Sequence, residues 1–494
     1  MKNTLITCYL LLGFATSSYA KPDQSNEDYA PSATPESSVV ASLPIDPNGI
    51  NVLAGNLGKA SPGIKNAFMN HMNLWMAMPA EGTYEIEWML KVPEDGVYGI
   101  DALVKGKGTR LIVSSNGEQK QAVVEAKDWD RVSFGTLALK AGENKLRLVI
   151  EATKGFSFDA LELVQPAVKA DLLKDALAMR KQPDWFVNAG YGVMFQWTNR
   201  ATPPKGGIKP WEEKVNDFKL DEFVDMVEST GAAYVLWSVT WGEQYISAPL
   251  KSLDAIIAGR TAERDLLGEM ADALDKRGIK LIFYYHYGYD CNHSIDKDWM
   301  EASGGYKADK TELYENWMAI ISEMGERYGD KLHGWWFDGG QRYYNCHFDN
   351  TPGDQGILSA PFKDLTLAAK SGNPERVVAY NSWIKPRLTE YQDYYGGEGA
   401  HVSGGLKNGM FPSGPQEGLL GHGCFIFESK WGHIEKNSTI AKPRYDLKKL
   451  TAMIQKAQKE KFPLSINLEM YEDGSVSPDS VALLKQLRKE IRVK

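Results

Sequence analysis

The chain has 494 residues, 43% of them hydrophobic and 24% charged, a composition typical of globular proteins and of neither disordered nor membrane proteins. This length exceeds that of one ordinary domain, so we expect two. The formal net charge of −8 disfavours a nucleic-acid partner, because binding a polyanion requires a basic surface.

The N-terminal segment from Met1 to Ala20 has the pattern of a secretory signal peptide. Met1 to Asn3 carry a positive charge, an apolar run extends to Phe14, and small residues precede a cleavage point after Ala20. The pattern predicts an exported protein, periplasmic or extracellular. Residues 21–44 are rich in Ser, Pro, Asp and Glu and predict a flexible linker. No later segment has the ~18 consecutive apolar residues of a membrane span.

The cysteines give no metal-site pattern. Outside the predicted signal peptide the chain has Cys291, Cys346 and Cys424. Cys291 and Cys346 both follow predicted strands, so either a disulfide between neighbouring loops or free buried thiols fit the sequence. No spacing matches a zinc site, and we predict neither a metal nor a cofactor.

Residues 45–166 consist of short alternating apolar and polar runs separated by turn residues. The clearest are 82–88, 96–103 and 144–150. This pattern predicts an all-β jelly-roll sandwich. The order of its landmarks, 141–144 before 158–161, resembles carbohydrate-binding modules attached to polysaccharide-degrading enzymes. A sandwich that packs only against its neighbour is the alternative.

From residue 167 to residue 494 strands alternate with helices, beginning with a predicted helix at 167–181. Amphipathic helices are predicted at 220–230, 265–277, 313–328, 445–459 and 478–491. The strand candidates are 192–197, 234–239, 280–285, 334–338, 376–381, 391–395, 424–427 and 464–468. About eight β/α units predict an α/β fold, a (β/α)8 TIM-type barrel.

The strand predicted at 334–338 ends abruptly in Asp338 and two glycines. A barrel holds its chemistry at the C-terminal ends of its strands, so Asp338 is the first catalytic candidate. Its alternative role is to cap the next element, as Asp before Gly often does.

Aromatic and polar side chains follow several of the other predicted strands. A sugar offers apolar faces for stacking and hydroxyl groups for hydrogen bonding, and these residue types supply both. The predicted substrate-binding residues are Gln196, Trp197, Trp241, Glu243, His286, Tyr287, Trp336, Asn381, Trp383 and Trp431. The predicted partner is therefore an oligosaccharide or polysaccharide.

Glycoside cleavage requires a second carboxyl group. Glu398 is the first choice, because it follows a strand-like segment and is flanked by glycines that allow close approach of a substrate. Other candidates for the acid/base are the carboxyl groups of Glu243, Glu428 and Asp393.

Five blocks of the barrel region resemble the α-L-fucosidases of glycoside hydrolase family 29. In chain order they are 190–197, 218–235, 335–339, 424–433 and 464–478. The resemblance implies a retaining glycosidase in which Asp338 is the nucleophile, and Glu398 falls in the region that supplies the acid/base. Related endo-acting fucan hydrolases use a histidine as general acid, which makes the late-loop residues His401, His422 and His433 alternatives.

The chain also departs from that family. Gln196 and Trp241-Gly242 stand where the family has sugar-reading histidines, which puts strict fucose specificity in doubt. A related sugar, an endo-acting hydrolase of a fucan-type polysaccharide, and a glycan-binding protein without catalysis therefore remain alternatives.

Overall fold

A computed structural model describes residues 41–69, 72–288, 296–307, 310–339, 360–382, 385–398 and 405–492. The predicted signal peptide, Cys291, Cys346, Trp383 and His401 lie outside these residues. The disulfide prediction is therefore not tested, and Cys424 is a free, buried thiol.

The first part of the described chain is a sandwich of two β-sheets, here called the N-terminal sandwich (43–164). One sheet has the order β1-β6-β11-β8-β9 with β3 on β6, and the other has the order β10-β7-β12-β5-β4 with β2 on β12. The strands are β1 (Leu43–Pro44), β2 (Asn51–Ala54), β3 (Lys59–Ala60), β4 (Lys65–Met69), β5 (Met72–Met78), β6 (Gly82–Val92), β7 (Gly96–Lys105), β8 (Arg110–Ser115), β9 (Glu118–Val123), β10 (Asp130–Leu139), β11 (Gly142–Ala152) and β12 (Phe156–Val164).

The alternation of buried and more exposed side chains explains why these segments form a sandwich. Along β6 every second residue from Tyr84 to Val92 is buried, and these residues share one core with Ile100 and Phe158 of the other sheet. The predicted linker ends too late, because Leu43 is fully buried and pairs with Leu90 as part of β1.

The second part is built around a parallel sheet with the order β17-β16-β15-β14-β13-β19-β18. Its strands in the described residues are β13 (Tyr191–Phe195), β14 (Tyr234–Thr240), β15 (Lys280–His286), β16 (Gly334–Asp338), β17 (Val377–Tyr380), β18 (Gly423–Ile426) and β19 (Leu464–Leu468). Each corresponds to a predicted strand, which confirms the α/β prediction.

The strand predicted at 391–395 is not a regular strand. The N–H of Asp393 donates to the carbonyl of Val378 at 2.8 Å, and only single-residue bridges pair Tyr394 with Leu420 and Glu398 with Cys424. Regular extension fails because glycines follow at 396 and 397, the second with φ +68°. Irregular backbone therefore replaces the sixth of the eight predicted strands, and the described residues do not show a complete (β/α)8 barrel.

Helices lie between the parallel strands, and all six predicted helices occur within a few residues of their predicted bounds. The helices are α1 (Pro166–Met179), α2 (Asp184–Val187), α3 (Trp211–Asp217), α4 (Leu220–Thr230), α5 (Lys251–Ile256), α6 (Leu266–Asp275), α7 (Lys297–Ala302), α8 (Thr311–Tyr328), α9 (Phe362–Ala369), α10 (Leu447–Glu460) and α11 (Pro478–Arg492). Among the described residues no helix is both long and apolar enough to cross a membrane.

The parallel sheet has two buried faces. On the outer face Phe195, Trp335 and Phe337 belong to the core that includes the helices. On the inner face Met194 and Trp336 belong to a separate cluster, here called the inner cluster, together with Tyr234, Leu236, Trp241, Ile282, Tyr284, Val377, Ala379, Tyr394 and Cys424. Side chains alternate between faces, so residues two beyond an inner-cluster residue continue the inner face at the strand ends.

Candidate active site

Asp338 is the last residue of β16, and two side chains hold its carboxylate. The hydroxyl of Tyr284 donates to Oδ2 at 2.5 Å, and Nδ2 of Asn381 donates to Oδ1 at 3.0 Å. Tyr284 comes from the neighbouring strand β15, and Asn381 follows the neighbouring strand β17. The carboxylate is therefore held in one orientation by donors from both sides.

Glu398 shares a hydrogen-bond donor with Asp338. Nδ2 of Asn381, which contacts Asp338 Oδ1 at 3.0 Å, also donates to Oε2 of Glu398 at 2.7 Å. Because one nitrogen makes both contacts, the two carboxylate oxygens lie no farther apart than the combined length of these two hydrogen bonds. The two carboxyl groups proposed from the sequence thus lie side by side.

Two glycines bring Glu398 to this position. Gly397 has φ +68°, and a Cβ atom there would lie 2.0 Å from the carbonyl oxygen of His422. The carbonyl of Gly396 contacts His422 Nδ1 at 2.6 Å, while His422 Nε2 contacts the hydroxyl of Ser465 at 2.8 Å. Burial lowers the pKa of His422 to about 4, so its ring is neutral. His422 therefore supports the backbone before Glu398.

Tyr284 is the contact residue that the sequence prediction missed. Burial, and then the charge of Asp338, raise its pKa far above the usual range, so the hydroxyl keeps its proton and donates. Its ring stacks on Trp336 with centroids 5.1 Å apart. The alternation of β15 contained the signal, because a position two before the inward His286 faces inward as well.

Gln196 and His286 extend the inner face beside the carboxyl pair. The side chain of Gln196 hydrogen-bonds Tyr284, and its buried Oε1 has no hydrogen-bond partner among the described residues. His286 is in register with Asp338, and its Nδ1 accepts the backbone N–H of Gly288 at 3.1 Å. In the neutral ring this contact leaves the proton on Nε2.

Three further predicted residues lie in the loops after β14 and β18. Trp241 belongs to the inner cluster, and Trp431 packs against that cluster. The guanidinium of Arg200 lies 5.8 Å from the ring centroid of Trp241. Glu243 accepts a hydrogen bond from the side chain of Asn199. Glu243 is thus held by the loop that follows β13.

Trp197 and Tyr287 do not reach the site. Both are 1% exposed and belong to the outer core. Nε1 of Trp197 donates to the carbonyl of Glu472, and the ring of Tyr287 stacks on Phe337. Each is one residue away from an inward position, and alternation turns its side chain to the outer face. Trp336 faces inward but is 2% exposed, so it packs beneath the carboxyl pair.

Several alternative acid/base candidates make contacts elsewhere in the structure. Asp393 pairs with the buried Lys370 at 3.0 Å. Glu428 is fully buried, where it accepts from the hydroxyl of Ser480 on α11 and from the backbone N–H of Glu469. Nδ1 of His433 lies 3.4 Å from Glu469. Within the described ranges no group of three potential metal ligands occurs.

A family profile matches this chain, and several solved structures are similar to it. The α-L-fucosidase family profile matches residues 186–487. An α-L-fucosidase of glycoside hydrolase family 29 from Bacteroides thetaiotaomicron, trapped as a covalent intermediate, is 15% identical over 63% of this chain and 75% of its own, with a TM-score of 0.45. α-L-Fucosidase isoenzyme 1 from Paenibacillus thiaminolyticus is 16% identical over 65% of this chain and 76% of its own, with a TM-score of 0.46.

A third similar structure is the α-L-fucosidase AlfC in complex with Fucα(1,6)GlcNAc. It is 17% identical over 65% of this chain and 100% of its own, with a TM-score of 0.44. No curated protein matches the chain.

The family match covers more than half of the chain and contains the carboxyl pair. It runs from α2 through the parallel sheet into α11, so it includes Asp338, Asn381 and Glu398 but not the N-terminal sandwich. The chain therefore belongs to the α-L-fucosidase family and is a glycosidase.

Proposed function

We propose that this protein is an exported, retaining glycoside hydrolase that cleaves α-linked fucose or a related sugar from oligosaccharides or polysaccharides. The observation that carries the proposal is the shared donor Asn381, which brings the carboxylates of Asp338 and Glu398 together. Export rests on the pattern of the segment from Met1 to Ala20 alone.

The separation of the two carboxyl groups supports the retaining class. Retaining glycosidases hold their carboxyl groups roughly 5–5.5 Å apart, whereas inverting enzymes need roughly 6.5–9.5 Å to admit a water molecule. Asn381 Nδ2 lies 3.0 Å from Asp338 Oδ1 and 2.7 Å from Glu398 Oε2. Because both oxygens contact the same nitrogen, Asp338 Oδ1 and Glu398 Oε2 cannot lie as far apart as the carboxyl groups of inverting enzymes.

The proposed reaction has two steps. First, an oxygen of Asp338 attacks the anomeric carbon, and the departing glycosidic oxygen takes the proton of Glu398. Next, Glu398 removes a proton from water, whose oxygen displaces the Asp338 carboxylate from the anomeric carbon. The second step restores Asp338 as a carboxylate and Glu398 as an acid. Tyr284 and Asn381 keep Asp338 aligned for the attack.

The residues around the pair support a sugar as substrate. Gln196 presents a buried oxygen that lacks a partner within the described chain, and an incoming sugar hydroxyl would satisfy it. His286, Trp241 and Trp431 add an imidazole and two indoles near the same strand ends. Such a mixture of polar groups and aromatic faces matches the two kinds of surface on a pyranose.

The test is the Asp338→Asn variant with α-linked fucosides. We expect it to lose turnover, while its free energy of unfolding stays within about 1 kcal/mol of the unaltered protein. NMR of the sugar first released by the unaltered protein should show the α-anomer.

Four outcomes would contradict parts of this proposal. Full activity of the Asp338→Asn variant would exclude Asp338 as nucleophile. First release of the β-anomer would exclude retention. Saturable oligosaccharide binding without any cleavage would indicate a glycan-binding protein instead, and release of oligosaccharides alone would indicate an endo-acting hydrolase.

A further inference from the structure

The N-terminal sandwich reaches the catalytic part of the chain through a buried ion pair. β12 carries a bulge between Phe158 and Ala160 in its pairing with β7, and Asp159 is the residue in the bulge. A bulge redirects a side chain out of the ladder. Oδ1 of Asp159 lies 2.7 Å from Nζ of Lys385, and the two side chains are 13% and 8% exposed.

Lys385 is close in sequence to the donor that the carboxyl pair shares. It follows Asn381, the shared donor, by four residues. Its N–H donates to the carbonyl of Ser382 at 3.0 Å, and its own carbonyl accepts from the Ser382 hydroxyl at 3.2 Å. The sandwich is thus joined to the backbone that carries Asn381 at the strand end.

An aromatic pair of the sandwich lies beside this ion pair. Nζ of Lys385 is 5.9 Å from the ring centroid of Trp75, which is only partly buried. The ring of Trp129 meets Trp75 edge to face at 5.2 Å. Trp129 is 4% exposed, and its indole N–H has no hydrogen-bond partner in the part of the chain that the structure describes.

Tyr395 is a residue near the acid/base candidate on which a charge of the sandwich also acts. Tyr395 lies three residues before Glu398 and is 6% exposed. Burial raises its pKa, and the charges of Glu398 and of the sandwich residue Asp128 raise it further. Asp128 precedes Trp129 directly. The charges of the acid/base candidate and of the sandwich residue Asp128 therefore both act on Tyr395.

We infer that the N-terminal sandwich forms a wall of the catalytic site, in which Trp75 contacts the sugar on the leaving-group side of the scissile bond. This inference rests on the proposed glycosidase function and adds to it a subsite built outside the family-matched region. The substrate is accordingly an oligosaccharide of two or more sugars. The Asp159 and Lys385 pair holds the wall in place.

The experiment compares two donors that differ only in the leaving group. α-L-Fucosyl fluoride has a single-atom leaving group that does not reach the wall, whereas α-fucosylated oligosaccharides place a sugar there. We expect Trp75→Ala to lower kcat/KM for the best oligosaccharide about tenfold and to leave kcat/KM for the fluoride unchanged. Trp75→Leu keeps apolar volume without an aromatic face and should show the same selective loss. It replaces Trp75→Ala in the comparison if the alanine variant does not fold.

The ion pair is tested with a matched control. Asp159→Asn should also reduce oligosaccharide cleavage selectively, because it frees Lys385 from the wall. Asp101→Asn breaks another ion pair between the sandwich and the later chain, to Lys169 of α1 at 2.6 Å, and Asp101 is 13% exposed like Asp159. The Asp101 variant should leave both substrates unaffected.

The outcomes separate this inference from the proposed function. If the unaltered protein cleaves neither donor, the proposed function fails, and this inference fails with it. If the unaltered protein cleaves the fluoride but no oligosaccharide, only this inference is overturned. The same holds if the Trp75 variants cleave both donors at the unaltered rate, or if they lose activity equally on both donors.

Discussion

Asp338 and Glu428 both lie at the C-terminal ends of strands of the same parallel sheet, yet their surroundings differ. Asp338, at the end of β16, is partly exposed and is bound by the side chains of Tyr284 and Asn381 from the neighbouring strands. Glu428, after β18, is fully buried and is bound by Ser480 of α11 and by a backbone N–H. Asp338 also has a second carboxyl group beside it, because Asn381 donates to both Asp338 and Glu398.

The contrast shows that neither a strand end nor a perturbed pKa defines a catalytic carboxyl group. Burial raises the pKa of Glu428 to about 7, a value that would suit a general acid. Its contacts nevertheless join β18 to a helix and to the β19 backbone. What distinguishes Asp338 is access from the inner face together with Glu398 at hydrogen-bonding distance from the same amide.

The largest expected difference is between Glu398→Gln and Glu428→Gln. We expect Glu398→Gln to lower kcat on an oligosaccharide by roughly 10²–10⁴, because the glycosidic oxygen loses its proton donor. Glu428→Gln should leave kcat unchanged. Steady-state kinetics of both variants at the optimal pH measure this, and equal losses would remove the distinction drawn between the two glutamates.

A smaller effect is expected from the backbone that positions Glu398. Gly397→Ala places a Cβ atom 2.0 Å from the His422 carbonyl, so the segment has to shift. A displacement of about 1 Å costs about a hundredfold in kcat. Gly414→Ala is the control, since Gly414 also has a positive φ, of +84°, but a Cβ atom there would meet none of the described residues within 4 Å.

Comparing kcat and thermal unfolding of these two glycine variants separates misplacement of Glu398 from the general strain of a positive φ. If both variants lose activity to the same extent, the position of Glu398 does not depend on Gly397.

The hydroxyl that orients Asp338 should contribute less. Tyr284→Phe removes one hydrogen bond to a charged group, for which we expect about a tenfold loss in kcat. Tyr234→Phe is the matched control, because Tyr234 also faces inward but bonds Ser465 instead of Asp338. The kcat ratio of the two phenylalanine variants gives the effect, and a ratio near one would contradict the assigned contact.

Periodicity made most of the fold predictable. The regular strands at 334–338 and 464–468 were predictable because apolar runs are bounded by turn residues. The strand at 391–395 was not, because two adjacent glycines allow backbone that no apolar pattern encodes. The contact between Asp159 and Lys385 could not be predicted either. The two residues are 226 positions apart in the sequence, and their contact depends on the bulge in β12.

The candidate site was predictable where side chains at strand ends face inward. Asp338 and Asn381 satisfy this condition, and Glu398 was found from the chemical need for a second carboxyl group. Residue type alone does not place Trp197 and Tyr287, because the alternation of their strands turns both side chains to the outer face. The same alternation, applied to β15, would have added Tyr284 to the predicted site.

The last prediction concerns stability, where Glu428→Gln should matter although it leaves catalysis unchanged. The folded pKa of Glu428, about 7, lies above the ordinary value of 4.5, so the folded protein retains a proton that the unfolded chain loses between these two values. The stabilisation that this proton provides is fully present below pH 4.5 and is lost as the pH rises through about 7. The unfolding free energy falls by at most about 3 kcal/mol over this range. Glutamine does not titrate, so the variant should lose less unfolding free energy between pH 5 and pH 8. Urea unfolding at both pH values measures this difference, and an identical change in the two proteins would show that burial does not hold a proton on Glu428.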